Sequence, residues 1–298
     1  MSNFAICRGL LCCLLIGGLA AIPPVALAEQ PKETSILFIG NSFTYGAGTK
    51  VQTYHPETVT DLNGQHVGGI PALFKAFTVQ AHLNYAVSVE TVSGKGLDYH
   101  LKEKADRIGK PWDVVCMHGY STLDQRRPGD PSLLVASTRE MAQLLHDKNP
   151  AAMLYLTATW ARADQVYSAK GAWHGKTVQS MTADLRKAYD QAAAASPFIK
   201  QVIPVGEAWC RAIDQGLADH NPYDGIEAGK VDLWGKDHYH GSVYGYYLEA
   251  LTIFGVVTGQ DPRSLGNQEP VAKELGISPD QAVAMQKIAF EQVSKSKK

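Results

Sequence analysis

Five short apolar runs punctuate the chain. They are Ser35-Ile36-Leu37-Phe38-Ile39, Tyr85 to Val92, Asp113-Val114-Val115-Cys116-Met117, Ala152-Met153-Leu154-Tyr155-Leu156 and Gln201-Val202-Ile203-Pro204-Val205. Their near-continuous apolarity, in place of strict alternation, is the pattern of parallel strands covered on both faces. Between them, apolar positions at helical spacing predict helices at about 70–82, 132–147, 175–195 and 243–258, with a final amphipathic helix from Pro279. Strand, helix and strand in succession require right-handed crossovers. The expected fold class is therefore α/β, a three-layer α/β/α (flavodoxin-like) arrangement with a mostly parallel central sheet. Segments 47–68 and 161–175 carry no clear period and read as long loops, which in such folds often border the site. No repeat, low-complexity tract or linker divides the sequence, so a single domain is expected over 29–298.

The first 28 residues follow a different pattern. Arg8 is their only charged side chain, an apolar run from Leu10 to Ala21 follows it, and Val25-Ala26-Leu27-Ala28 puts small residues where a signal peptidase reads. This is the layout of a cleaved secretory signal, with cleavage expected before Glu29. The apolar run is short for a hydrocarbon core of about 30 Å, and Pro23-Pro24 interrupts it. The expectation is an exported protein, periplasmic or extracellular, with no stable membrane anchor after cleavage. Cys7, Cys12 and Cys13 would leave with the signal; the sequence does not show whether Cys116 and Cys210 pair. With 28 Lys+Arg against 29 Asp+Glu, the chain lacks the basic excess of a nucleic-acid binder. Its 45% hydrophobic content is too high for a disordered chain.

The phosphate-binding and dinucleotide-binding glycine loops are missing from the sequence, as are His-Glu-x-x-His and paired Cys-x-x-Cys, so no cofactor is expected. The first predicted strand runs into Gly40-Asn41-Ser42-Phe43-Thr44. A serine just beyond the carboxyl end of that strand stands where open α/β sheets bind ligands. If a helix begins soon after, its free N–H groups would favour an oxyanion; a helix-capping serine is the plainer alternative. Far downstream comes Asp237-His238-Tyr239-His240. An imidazole can take the serine proton, and a carboxylate three residues earlier can hold its other nitrogen. Asp237, His238 and His240 also offer metal-ligand chemistry, but a His-x-His loop needs a further ligand from afar and no partner cluster is apparent, so no metal is expected.

These two elements together resemble the SGNH (GDSL-type) hydrolases. Ile36 to Thr44 is similar to that family's first block, and Asp237 to Ala250 to its last. The likeness is to a poorly characterised branch that begins Gly-Asn-Ser-Phe-Thr, and Pro204-Val205-Gly206-Glu207-Ala208-Trp209 is similar as well. The resemblance implies that Ser42 is the nucleophile, His240 the general base and then acid, and Asp237 its orienting carboxylate. It implies an oxyanion hole from the amides of Ser42 and a second-block glycine, Gly94 or, as the weaker match, Gly96. The third block departs from the family's Gly-x-Asn-Asp: here it reads Met117-His118-Gly119-Tyr120-Ser121, which leaves His118 or Tyr120 as the replacement donor. Trp160 and Arg162 follow the fourth strand and are the candidates to border a substrate pocket.

The expected function is a secreted serine esterase acting on carboxylic, in particular acetyl, esters of small molecules or polysaccharides. The alternatives are an O-acyltransferase with the same site and a non-catalytic carbohydrate-binding protein of this fold.

Overall fold

The computed structural model describes residues 1–2 and 32–296; the leader expected over 1–28 lies, but for its first two residues, outside the described residues. Six parallel strands form one sheet: β1 (Thr34–Gly40), β2 (Thr60–Asp61), β3 (Tyr85–Thr91), β4 (Val114–Met117), β5 (Met153–Ala158) and β6 (Ile199–Pro204). Their order across the sheet is β2-β3-β1-β4-β5-β6. Helices α2 (Leu97–Ile108), α3 (Ser132–Lys148) and α5 (Val178–Ala194) pack side by side over one face. Over the other, α1 (Gly69–Gln80), α6 (Val205–Asp214), α7 (Val243–Thr258) and α9 (Pro279–Lys295) pack together. The short α4 (Ala163–Val166) follows β5, and α8 (Pro270–Glu274) precedes α9. This is the expected three-layer α/β/α fold. Among the described residues no helix is long and apolar enough to cross a membrane.

The predicted strands and the helices at 132–147 and 243–258 agree with the structure to within two residues. Besides the short α4 and α8, two longer helices were not expected. In α2 only Leu97, His100 and Ile108 are buried, too few apolar positions to show a helical period. Helix α6 begins at Val205 directly where β6 ends, so its first turn reads as a continuation of the strand. Neither expected loop is free of regular structure: β2 lies in 47–68 and α4 in 161–175. Cys116 and Cys210 are both buried and unpaired, and the Cys210 thiol donates to the Thr182 hydroxyl at 3.2 Å.

Topology sets the place of the site. From the β1 end the chain reaches β3 through α1, then crosses back over β1 to β4 through α2. Crossovers on either side of β1 thus leave in opposite directions, which opens a crevice beyond its carboxyl end. The register pairs Gly40 with Thr91, Ile39 with Met117 and Met117 with Leu156. The loops after β1, β3, β4 and β5 therefore leave the sheet at one level.

Helix α1 shows how burial holds the layers. Phe77 is fully buried, edge-on to Tyr247 and Phe254 of α7, whereas Val79 two residues later is 58% exposed. Phe77→Ala should cost about 3–5 kcal/mol and Val79→Ala within about 0.5 kcal/mol. Urea unfolding of both variants tests this, and equal losses would contradict the packing described.

Candidate functional site

Beyond Gly40 the chain makes consecutive turns and no helix; the Thr44 and Tyr45 amides both donate to the Asn41 carbonyl, and the Ala47 amide donates to that of Ser42. The conditional expectation of a helix end behind Ser42 is not met, since α1 starts only at Gly69. Asn41 shapes the turn instead. Its side-chain oxygen accepts from the Phe43 amide at 3.1 Å, and its Nδ2 donates to the carbonyls of Lys95 (2.9 Å) and Gly119 (3.3 Å). One buried amide thereby ties together the loops after β1, β3 and β4.

Ser42 and His240, 198 residues apart, meet here: Ser42 Oγ lies 2.9 Å from His240 Nε2. His240 Nδ1 lies 2.7 Å from Asp237 Oδ2, and Asp237 Oδ1 accepts from the amides of Tyr239 and His240. Since a carboxylate only accepts, Nδ1 carries the proton and Nε2 is free to accept from the serine hydroxyl. Partial burial of Asp237 works against its charge, but the His240 ring and the two amides hold its carboxyl below the ordinary range. This chain can move a proton off Ser42 and stabilise the imidazolium that forms.

The His240 loop is clamped from the β5 side. The Asp164 amide donates to the His238 carbonyl, Trp160 Nε1 to the Tyr239 carbonyl and Trp234 Nε1 to the Ala161 carbonyl. The Arg162 guanidinium stacks 3.7 Å from the Tyr239 ring centre while gripping Asp164 at 2.9 and 2.6 Å. Arg162 therefore stands at the site, fixing its walls. Trp160 does not border a pocket: it is fully buried, lying parallel between Phe43 (4.1 Å) and Trp209 (4.5 Å), so neither face is open to a sugar.

The amides of Ser42 and Gly94 donate to no group among the described residues. Gly94 has φ +66, a left-handed backbone that favours glycine, and its carbonyl is held by Gln125 Nε2 at 2.9 Å. Gly96, the weaker match, instead caps α2, and a side chain there would run into the Tyr120 ring.

His118 is not placed to serve as an oxyanion donor. It is 2% exposed, with Nδ1 2.9 Å from the Gly119 carbonyl and Nε2 2.8 Å from the Thr44 hydroxyl. The carbonyl requires Nδ1 to donate, so Nε2 accepts from Thr44 and no ring N–H remains for substrate. Burial pushes its pKa down to about 4, which keeps it neutral. The Tyr120 hydroxyl faces Asp98 at 3.5 Å.

Sequence reasoning passed over Asn41, and also Glu90 and His100, both fully buried close to this turn. The available signal was Glu90, a lone charge inside the apolar run Tyr85 to Val92. Among the described residues, Asp219, His220 and Glu227 have ligand atoms within 4.8 Å of one another, but Asp219 is already engaged with the amides of Asn221 and Glu227.

The neutral His118 has a consequence for stability. Its pKa of about 4 in the fold lies below the ordinary 6.5, so as pH falls the unfolded chain binds the proton first. The stability it contributes is complete above about pH 6.5 and is lost progressively toward pH 4. From pH 7 to pH 5 the loss should be about 2 kcal/mol, and His118→Gln should remove that part of the pH dependence. Urea midpoints of both proteins at the two pH values decide; parallel losses would show that His118 is not held neutral.

No family model matches the sequence, and a search of curated proteins returns no match. Solved structures do match. A DUF4886 family protein from Bacteroides uniformis superposes with a TM-score of 0.61 at 19% identity, over 90% of this chain and 97% of that one. A candidate GDSL-like lipase from Parabacteroides merdae superposes with a TM-score of 0.51 at 16% identity, over 76% and 95%. At these identities the likeness is one of fold, and the chain shares its α/β/α architecture with both proteins.

Proposed function

We propose that the protein is a serine ester hydrolase that works through an acyl-Ser42 intermediate. The observation that carries this reading is the continuous chain from Ser42 Oγ through His240 to Asp237 at the switch point of the sheet. Ser42 attacks the ester carbonyl as His240 Nε2 takes its proton. The amides of Ser42 and Gly94 receive the oxyanion, and His240 returns the proton to the departing alcohol. Water activated by the same imidazole then releases the acid. Fold likeness to a candidate GDSL-like lipase is in keeping with this chemistry.

For the substrate we propose acetyl esters on carbohydrates, met after export across the inner membrane. Two features support a sugar. The cleft beside Asp237 and His240, about 660 Å³, is bordered by polar groups including Thr49, Lys50, Lys236 and Tyr244. Beside His238, Tyr223 is the one aromatic among the exposed large hydrophobic residues described. Its ring lies 4.3 Å from that of His238, and Arg162 and Asp164 act electrostatically on its hydroxyl. An open aromatic face beside charged hydrogen-bonding groups suits a ring with apolar C–H faces and peripheral hydroxyls. Tyr223 thus takes the part that the sequence suggested for Trp160.

Acetate release from nitrophenyl acetate and acetylated xylan tests the reading. Ser42→Ala should lower kcat by about 10⁴-fold or more and Asp237→Asn by about 10⁴-fold. Tyr223→Ala should raise KM for the xylan several-fold and leave nitrophenyl acetate unaffected. Retained hydrolysis in Ser42→Ala would sink the serine mechanism; acetyl transfer to added sugar in place of hydrolysis would make the enzyme a transferase.

A further inference from the structure

Directly beneath the Ser42 turn lies a buried pair that the proton path of Ser42, His240 and Asp237 does not include. Glu90, near the end of β3, and His100, in the first turns of α2, are both 0% exposed. His100 Nδ1 meets Glu90 Oε2, and its Nε2 lies 2.9 Å from the Gly40 carbonyl. Gly40 precedes Ser42 by two residues, and its carbonyl also accepts from the Val92 amide at 3.2 Å. His100 is therefore a tie between the helix that follows the Gly94 loop and the strand end that presents Ser42.

Hydrogen-bond accounting limits how this pair is protonated. A carbonyl only accepts, so Nε2 must carry a hydrogen. One further proton lies between Nδ1 and Glu90. Glu90 Oε1 accepts from Asn63 Nδ2 at 2.9 Å, and the oxygen of the same Asn63 side chain receives Lys104 Nζ at 3.2 Å and an Arg107 nitrogen at 2.5 Å. Lys104 and Arg107 thus hold the Asn63 side chain that donates to the carboxylate; against burial, the His100 ring, this hydrogen bond and the Lys104 charge favour the charged form of Glu90 and leave the proton on the ring.

We infer that Glu90 holds His100 as a buried imidazolium, and that this ion pair is a positioning element that fixes the Gly40 carbonyl and turns a positive charge toward the Ser42 turn. The inference rests on the proposed role of Ser42. Because the pair is aligned with its cationic end against Gly40 and its anionic end toward Asn63, it acts as a fixed dipole. Its positive pole faces the turn where negative charge develops during acylation. Such a dipole needs no rearrangement when the oxyanion forms, and water does not screen it.

Glu90→Gln separates charge from geometry. The Gln oxygen can still accept from Asn63, its NH₂ can donate to Nδ1, and Nε2–H can still hold Gly40, now with a neutral ring. The expected result is a kcat for nitrophenyl acetate about tenfold lower, with KM and thermal midpoint little changed. His100→Phe removes the tie itself and should lose more activity together with stability. The direct readout is ¹⁵N NMR of the imidazole at pH 7. Two protonated nitrogens in the wild type and one in Glu90→Gln support the inference; a neutral ring in the wild type overturns it. Wild-type kcat in Glu90→Gln overturns it as well. If the wild type neither hydrolyses ester nor is labelled at Ser42 by a fluorophosphonate, the proposed hydrolase is what fails, and the NMR result still decides the state of the pair.

Discussion

The space that a side chain would occupy at Gly40 is filled by the Thr44 hydroxyl and the His118 imidazole. That exclusion lets the chain leaving β1 fold back tightly, so that Thr44 returns to the foot of the strand and Ser42 sits in the turn between them. The rest of the site is organised around this reversal. Asn41 spends its side chain on the neighbouring loops, His118 supports Thr44 from below, and Phe43 turns inward onto Trp160. Residues 41 to 44 are 5%, 2%, 1% and 4% exposed, so the serine is held in a turn that is buried throughout. A polar turn this enclosed is tolerable because its side-chain hydrogen-bonding groups find partners within the fold, while the Ser42 amide stays free among the described residues.

Electrostatics in this region follow the same economy. Two buried histidines about a single strand end are used in different ways. His118 is neutral because its neighbours supply one acceptor and one donor, whereas His100 faces an acceptor on each side. For His118 burial and this pairing act in the same direction, both favouring the neutral ring. The aromatic column Phe43–Trp160–Trp209 adds a stiff, uncharged wall from the turn to α6. It binds the Ser42 loop to the helical layer that holds α6, so that the site and that layer are mechanically one object.

Much of this was legible in the sequence, and the reasons are local. Continuous apolar runs bounded by turns gave the strands, and Asp237 with His240 could be paired because three residues of loop span one hydrogen-bonded turn. What could not be read was burial. Trp160 and His118 carry chemical groups suited to ligands, and only packing shows that one has lost both faces and the other both nitrogens. Helix α2 was silent for a related reason: most of its surface is solvated, and one of its few buried side chains is polar. Glu90 was visible as an anomaly, but its partner lies ten residues on, in an element the periodicity did not show.

His240 and Asp237 sit in a single four-residue stretch, whereas Ser42, which His240 meets, comes from early in the chain. The hydrogen bonds between Asp237 and His240 are made within that stretch, while Leu233 and Trp234 just before it brace the loop and residues 223–229 are exposed. Insertions and rewrites in the exposed Tyr223 loop, 223–229, can therefore be accommodated without disturbing the Asp–His couple. The fold separates a braced stretch, from Val231 onward, from an exposed loop that is free to change beside it.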